Sequence, residues 1–333
     1  MAATEPRSAP TPVAPPRRRG RRSSVRGWRR TDQLIFALAW LAGLGLCLVA
    51  GAIVIFLAIE GLQYLDPKLL VTSPSPAVNQ AHSGGFLDPL IGTMTMALLG
   101  TLIATPLAVL TAVWVVEYGR PRWLAAVVET SIEMIAGTPD IVIAIFGLAF
   151  FQIGILAPFS FRASGGGVYG RSFLAAGIMM SLLALPLTYT ATRNGLRAIP
   201  RHMREASFAL GKTRAATIRR VLMPSLRPDI ATGATLGLGR IVGSTAIIVL
   251  LLGATLQNSP QNSVPLLGFL RGTGSTLTSY IFFNSPAGEG NAPQKAYAAA
   301  FVLLLIVLVL NWAVARISRI GAGSSLNSGR MAR

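Results

Sequence analysis

The chain has 333 residues, of which 52% are hydrophobic and only 13% charged, with a mean hydropathy of +0.57. This balance excludes an ordinary soluble domain and requires several bilayer spans. A formal charge of +18 is compatible with nucleic-acid binding, but the basic residues stand in blocks beside apolar segments, as membrane topology produces. The single cysteine, Cys47, lies in the first apolar segment, which excludes a disulfide within the chain and a cysteine-based metal site.

Residues 1–32 are rich in Pro, Ser, Thr and Arg, including Arg17-Arg18-Arg19-Gly20-Arg21-Arg22, and carry too little apolar area to offset ordering entropy. They are expected to form a disordered basic cytoplasmic tail. The twin arginines look like an export signal, yet the apolar segment that follows is too long for one, and Ala58-Ile59-Glu60 is a poor cleavage site. That segment is therefore read as a retained first span.

A crossing takes about 20 apolar residues. Six segments fit: 33–59, 90–116, 138–156, 173–192, 230–252 and 297–315. The expectation is an all-α membrane protein with a permease domain over 33–320 and a flexible cytoplasmic tail over 321–333. Residues 123–135 also read as helical, with Arg122, Glu129 and Glu133 near one face; this helix either lies at the membrane surface or extends the third span. Lys and Arg concentrate in the N-terminal tail, the Arg120-Pro121-Arg122 turn, segment 193–227 and the last residues, alternating with charge-poor connections. Both termini are accordingly predicted to be cytoplasmic, in a multi-pass protein of the plasma (inner) membrane.

At Gly137-Thr138-Pro139-Asp140, Pro139 removes a backbone donor and disfavours helix at Thr138. Either a half-helix begins there beside a pathway, or a cytoplasmic turn places Asp140 in the first turn of the third span; the sequence leaves both open. In the Arg-rich segment, Pro200 presets a helix in which Glu205 lies near the positive end and Ala206, Ser207 and Ala209 allow close approach of another surface. Gly211 offers positive φ to end that helix, Thr213 caps the next, and Pro224 is expected to stop it. The product is a helix-turn-helix knob; the plainer reading is a basic amphipathic juxtamembrane helix.

Leu210-Gly211-Lys212-Thr213 looks like the end of a phosphate-binding P-loop, but Ala206 stands where that loop needs glycine, and no strand precedes it. ATP is therefore expected on another chain. His82 and His202 are isolated, and no catalytic or metal-binding constellation is found. Arg240, by contrast, falls within the fifth apolar segment, where a charge costs about 2.5–3.5 kcal/mol on insertion scales. Such a residue faces a bundle interior or a wet path, and its guanidinium suits phosphate oxygens. Ser244 and Thr245 add hydroxyl donors close by; the alternative for Arg240 is snorkelling or a structural ion pair.

Taken together, Glu205-Ala206-Ser207, Gly211, Ile218 and Leu222-Met223-Pro224 resemble the EAA loop of binding-protein-dependent ABC transporter permeases. Further blocks appear in the order seen in PstA-type phosphate permeases: Gly84-Gly85-Phe86-Leu87-Asp88-Pro89, Pro106-Leu107-Ala108, Glu117-Tyr118-Gly119-Arg120 and Gly137-Thr138-Pro139-Asp140-Ile141-Val142. The resemblance covers residues 31–320. It implies a type I ABC importer permease of six transmembrane helices that forms half of a heterodimeric channel for inorganic phosphate. Its partners would be two PstB-like ATPase copies holding ATP and Mg, a PstC-like sister permease and a PstS-like binding protein. This chain would carry no cofactor, no enzymatic chemistry and no nucleic acid, and would contact membrane lipid.

The resemblance also implies roles. Glu205, Ala206, Ser207, Gly211, Ile218 and Pro224, within 199–224, would couple to the ATPase, while Arg240, Ser244, Thr245, Thr138 and Asp140, taken from the residues themselves, are the candidates that line the path. The chain departs from the PstA pattern at Gly243-Ser244-Thr245, where Gly-Glu-Thr is usual, and at Pro139-Asp140, where Pro-Ser is usual. One carboxylate is lost and another gained, so Asp140 is expected to supply the counter-charge to Arg240. Alternatives are the PstC-type subunit, or a permease for sulfate, molybdate or another small solute. A stand-alone channel or carrier, or a membrane anchor whose tail binds nucleic acid or anionic lipid, leaves the coupling spacing unexplained.

Overall fold

The structure, a computed structural model, describes residues 30–75, 84–161, 169–253, 258, 265–286, 288 and 290–328. Positions 1–29 of the expected tail and His82 lie outside this set. Two units result, Met1–Ile55 and Phe56–Arg333. In the first, the described residues belong to helix α1 (Arg30–Gln63), which presents Leu34, Leu38, Leu41 and Leu48 outward, the all-round apolar surface of a helix that lipid solvates.

The second unit holds the end of α1 and every later element. These are α2 (Pro67–Val71), α3 (Leu87–Val113) with a π-helical turn (Trp114–Tyr118), α4 (Arg122–Gly137), α5 (Asp140–Phe151) and a short 3-10 turn. There follow α6 (Phe173–Ala198), α7 (Arg201–Ala209), α8 (Arg214–Thr217), a second π-helical turn (Ile218–Leu222) and α9 (Met223–Ser225). The chain continues through α10 (Arg227–Gly243), α11 (Ala246–Leu251), α12 (Pro265–Arg271), α13 (Leu277–Asn284) and α14 (Pro293–Ser328).

Helix α6 is the most enclosed of these, with Ala176, Met180, Ala184 and Thr188 all buried. Its small residues let α10 come close. A side chain at Gly233 would meet the Thr188 Cα at 2.8 Å, and one at Gly237 would meet the Ala184 Cβ at 3.0 Å. Glycines four apart thus form a small-residue seam of the kind that brings spans together where apolar burial offers little driving force. Thr188 Oγ1 donates across the seam to the Gly233 carbonyl at 3.1 Å. Gly233→Leu is expected to destabilise the fold by about 1–3 kcal/mol through overpacking, seen as a lower detergent unfolding temperature and reduced yield; an unchanged temperature would contradict this packing.

Not all of the six expected spans are continuous helices. Among the described residues, four continuous helices are long and apolar enough to cross a membrane: Arg30–Gln63, Leu87–Tyr118, Phe173–Ala198 and Pro293–Arg316. A fifth arises if α4 and α5, bent by 109° at their junction, form one broken span. Pro139 accounts for that break, because the helix cannot continue through a residue that lacks its donor. The predicted fifth span, 230–252, is likewise divided into α10 and α11, since Ser244 adopts an extended backbone (φ −82°, ψ 119°). At the C-terminus, α14 continues to Ser328, so residues 321–328 of the expected flexible tail are helical; 329–333 lie outside the described set.

Candidate functional site

The basic segment folds as a hairpin. Helix α7 closes with a Schellman arrangement around Gly211 (φ +74°): the Gly211 N–H donates to the Phe208 carbonyl at 2.9 Å and the Lys212 N–H to the Ser207 carbonyl at 3.2 Å. Thr213 then accepts from the Ala216 N–H at 3.3 Å and caps α8. Across the hairpin, the buried Ser207 and Thr217 hydroxyls bond each other at 2.9 Å. Glu205, Ala206, Phe208, Ala209 and Leu210 remain exposed, a surface with an acidic group and large apolar side chains beside small ones. Ile218 packs toward the buried cluster of Ala112, Leu196 and Leu222, which joins the hairpin to α3 and α6.

Pro224 does not stop the segment as expected. The second π-helical turn precedes it, the proline occupies the first turn of α9, and the path continues helically into α10. At a helix start the missing proline donor has no partner to lose.

The second site lies where the two broken segments meet. Asp140 is the first residue of α5, directly after the Thr138-Pro139 break, and Arg240 sits in the last turn of α10, directly before the Ser244-Thr245 break. Arg240 Nη2 donates to Asp140 Oδ1, and Ser244 Oγ donates to Asp140 Oδ2 at 3.2 Å. The expected counter-charge relation thus appears as a direct contact between residues 100 apart in sequence. A helix begins at the Pro139 break with Asp140 in its first turn, a feature common to both readings of that break.

This triad is asymmetric. The Arg240 side chain is 49% exposed and that of Asp140 21%, so the guanidinium is the more open member. Thr138 caps α4 and donates its hydroxyl to the Met134 carbonyl at 2.7 Å, while Thr245 begins α11 and its carbonyl accepts from the Val249 N–H at 3.0 Å. Among the described contacts, neither joins the Arg240–Asp140–Ser244 triad.

Residues 104–319, which hold the basic hairpin and both broken segments, match the family model described as binding-protein-dependent transport system inner membrane component. The chain belongs to this family of ABC transporter permeases. It is similar to the phosphate transport system permease protein PstA 1 of Mycobacterium tuberculosis, 32% identical over 72% of each chain. It also resembles a probable ABC transporter permease protein, YqgH, of Bacillus subtilis, 33% identical over 70% of this chain and 72% of that one. The phosphate transport system permease protein PstC of Xylella fastidiosa is 29% identical over 71% and 73%. Among solved structures, a bacterial alginate ABC transporter chain superposes with a TM-score of 0.60 at 17% identity, covering 88% of this chain and 96% of that one. A chain of the MetNI methionine ABC transporter gives 0.50 at 20% identity, covering 71% and 94%.

The permease is thus a membrane subunit whose ATPase is a separate chain. One connection in it escaped the sequence reading. Arg204, on the inward face of α7, donates from Nε and Nη2 to Glu117 Oε1 at 3.0 and 2.9 Å, and also to the carbonyls of Ile199 and Leu196, each at 2.8 Å. It ties the hairpin to the π-helical end of α3 and caps the C-terminal end of α6 at once. A second tie, from Glu129 of α4 to Arg193 at 2.8 Å and Arg197 at 3.5 Å, lies on α6 nearby. The available signal was the Glu117-Tyr118-Gly119 block, an acidic residue closing an apolar segment opposite an arginine-rich one. Arg204→Ala leaves the partly buried Glu117 and two carbonyls without this donor, a loss of about 2–4 kcal/mol. Lower permease stability together with less co-purified ATPase is the expected result; unchanged values of both would show the clamp to be idle.

Proposed function

We propose that this permease forms the PstA-type half of a heterodimeric channel that imports inorganic phosphate, powered by a PstB-like ATPase pair and fed by a PstS-like binding protein. The observation that carries the proposal is Arg240 at the junction of two broken helices, with Ser244 beside it. A guanidinium offers several directed donors to a tetrahedral oxyanion, and helix interruptions are where transporters expose polar groups to cargo. The names borne by relatives at 29–32% identity support the same cargo.

Coupling in this proposal is mechanical. ATP and Mg on the partner subunits draw their two halves together, and the exposed face of α7, with Glu205, Ala206 and Gly211 at its turn, follows. The Arg204–Glu117 clamp passes that movement to α3 and α6, opening the path around Arg240 alternately to either side. Basic residues on the hairpin support a cytoplasmic placement of it and of both termini. Thr138 and Thr245, which flank the two breaks, line the same path beside the triad.

The PstC-like position in the heterodimer is a second reading, favoured by the Xylella fastidiosa relative. Uptake into proteoliposomes holding this chain with its ATPase, sister permease and binding protein tests the cargo. Labelled phosphate is expected to accumulate with ATP, while sulfate and molybdate do not; faster entry of either would overturn the assignment.

A further inference from the structure

Resting on the phosphate reading above, we infer that Asp140 is a specificity-determining residue: its carboxylate accepts a hydrogen bond from the acidic P–OH of phosphate and turns away sulfate, which has no such proton.

Arg240 alone cannot make this distinction, since a guanidinium attracts any tetrahedral oxyanion of suitable size. Its neighbour can. Asp140 Oδ1 is in direct contact with Arg240 Nη2, so an anion seated on the guanidinium's remaining donors lies within a few ångströms of a second negative charge. For sulfate or molybdate, fully ionised at neutral pH, that proximity is only repulsive. Inorganic phosphate, in either of its forms at neutral pH, retains at least one acidic hydrogen. An ionised carboxylate is purely an acceptor with about four lone-pair positions, and the described contacts of Asp140 use two of them, to Arg240 and Ser244. Phosphate can therefore turn its hydroxyl toward Asp140 and exchange the repulsion for a charge-assisted hydrogen bond.

The placement favours this role over a purely structural pair. A group that serves only to neutralise Arg240 has no need of a more open cation, yet the guanidinium is the more exposed partner, and Ser244 holds Asp140 from the side. An anion that approaches from the exposed side of the guanidinium meets the arginine before the carboxylate. Sites that hydrogen-bond a particular substrate hydrogen reject analogues lacking it more strongly than sites that sense size.

The test uses the membrane complex of this chain with its sister permease and ATPase in nanodiscs, without binding protein, so that the selectivity measured belongs to the path. Labelled phosphate is bound and displaced by arsenate, which carries an acidic hydrogen, or by sulfate, which does not. In the wild type, sulfate is expected to require at least about tenfold more than arsenate. In Asp140→Asn, whose amide can donate to sulfate, the two should converge to within about threefold. Asp140→Asn/Ser244→Glu, which returns a carboxylate from the opposite break, should separate them again. Persistence of the gap in Asp140→Asn overturns the inference and leaves the phosphate assignment intact. If Asp140→Asn fails to accumulate, the wild type decides: sulfate competing as well as arsenate overturns it. A wild-type complex that binds no phosphate at this site sinks both proposals.

Discussion

Arg240→Gln is expected to reduce ATP-driven phosphate accumulation by on the order of 100-fold or more. Glutamine keeps much of the length but removes the charge and the forked donor geometry, and each charge-assisted bond to an anion contributes about 1.5–3 kcal/mol. The substitution also strands Asp140, now a partly buried carboxylate without its cation, so some loss of protein is expected from that cause alone. The double variant Arg240→Gln/Asp140→Asn separates the two effects. Removing both charges should return the protein to near wild-type abundance while transport, normalised to protein, stays absent. Recovery of transport along with abundance would mean that Arg240 is only a structural partner of Asp140 and that cargo is recognised elsewhere.

The second large effect belongs to the hairpin. Gly211 has φ +74°, and a Cβ placed there meets nothing within 4 Å, so backbone conformation alone decides what is tolerated. Alanine in the left-handed region costs about 1–2 kcal/mol, and a β-branched residue costs more because its side chain crowds the adjacent carbonyl. Gly211→Val is thus expected to open the Schellman closure of α7, displace the exposed Glu205, Ala206, Phe208, Ala209 and Leu210 and lower co-purified ATPase by on the order of tenfold. Gly211→Ala should lie between valine and wild type. Equal ATPase recovery from all three would show that the hairpin's shape does not govern docking.

How far the sequence could be read follows from the range of the interactions. Local backbone chemistry was legible: a glycine able to take positive φ, a threonine three residues before the N–H it caps, and a proline that ends α4 are all decided within a few residues. The Arg240–Asp140 contact was legible for a different reason. Set against the PstA pattern, the chain lacks a carboxylate at Ser244 and gains one at Asp140, and that exchange paired Asp140 with Arg240, the one arginine of its apolar segment. Arg204 had no such isolation, being one of many arginines in its segment, and nothing local distinguishes the one that turns inward to Glu117, 87 positions away.

Hydropathy failed where backbone hydrogen bonding interrupts an apolar run. Residues 230–252 read as one span because Gly243, Ser244 and Thr245 barely lower the apolar average, yet Ser244 is extended and the helix restarts after Thr245. Pro224 failed in the opposite direction. A proline was read as a stop, but the π-helical turn before it shifts the hydrogen-bond register so that α9 begins there. Such a turn depends on packing of Leu222 and Leu226 against α3 and α6, which a linear pattern does not display.

The relation of the hairpin to an ATPase can be measured most directly with a single reporter thiol. Cys47→Ala removes the chain's only cysteine, and Ala206→Cys then places one on the exposed face of α7. In right-side-out vesicles carrying the assembled transporter, this thiol is predicted to cross-link to the ATPase subunit, with an efficiency that changes when ATP is added, and to resist a membrane-impermeant reagent supplied from outside. Labelling of the thiol from the outside, or its failure to join an ATPase that is present, would contradict the account.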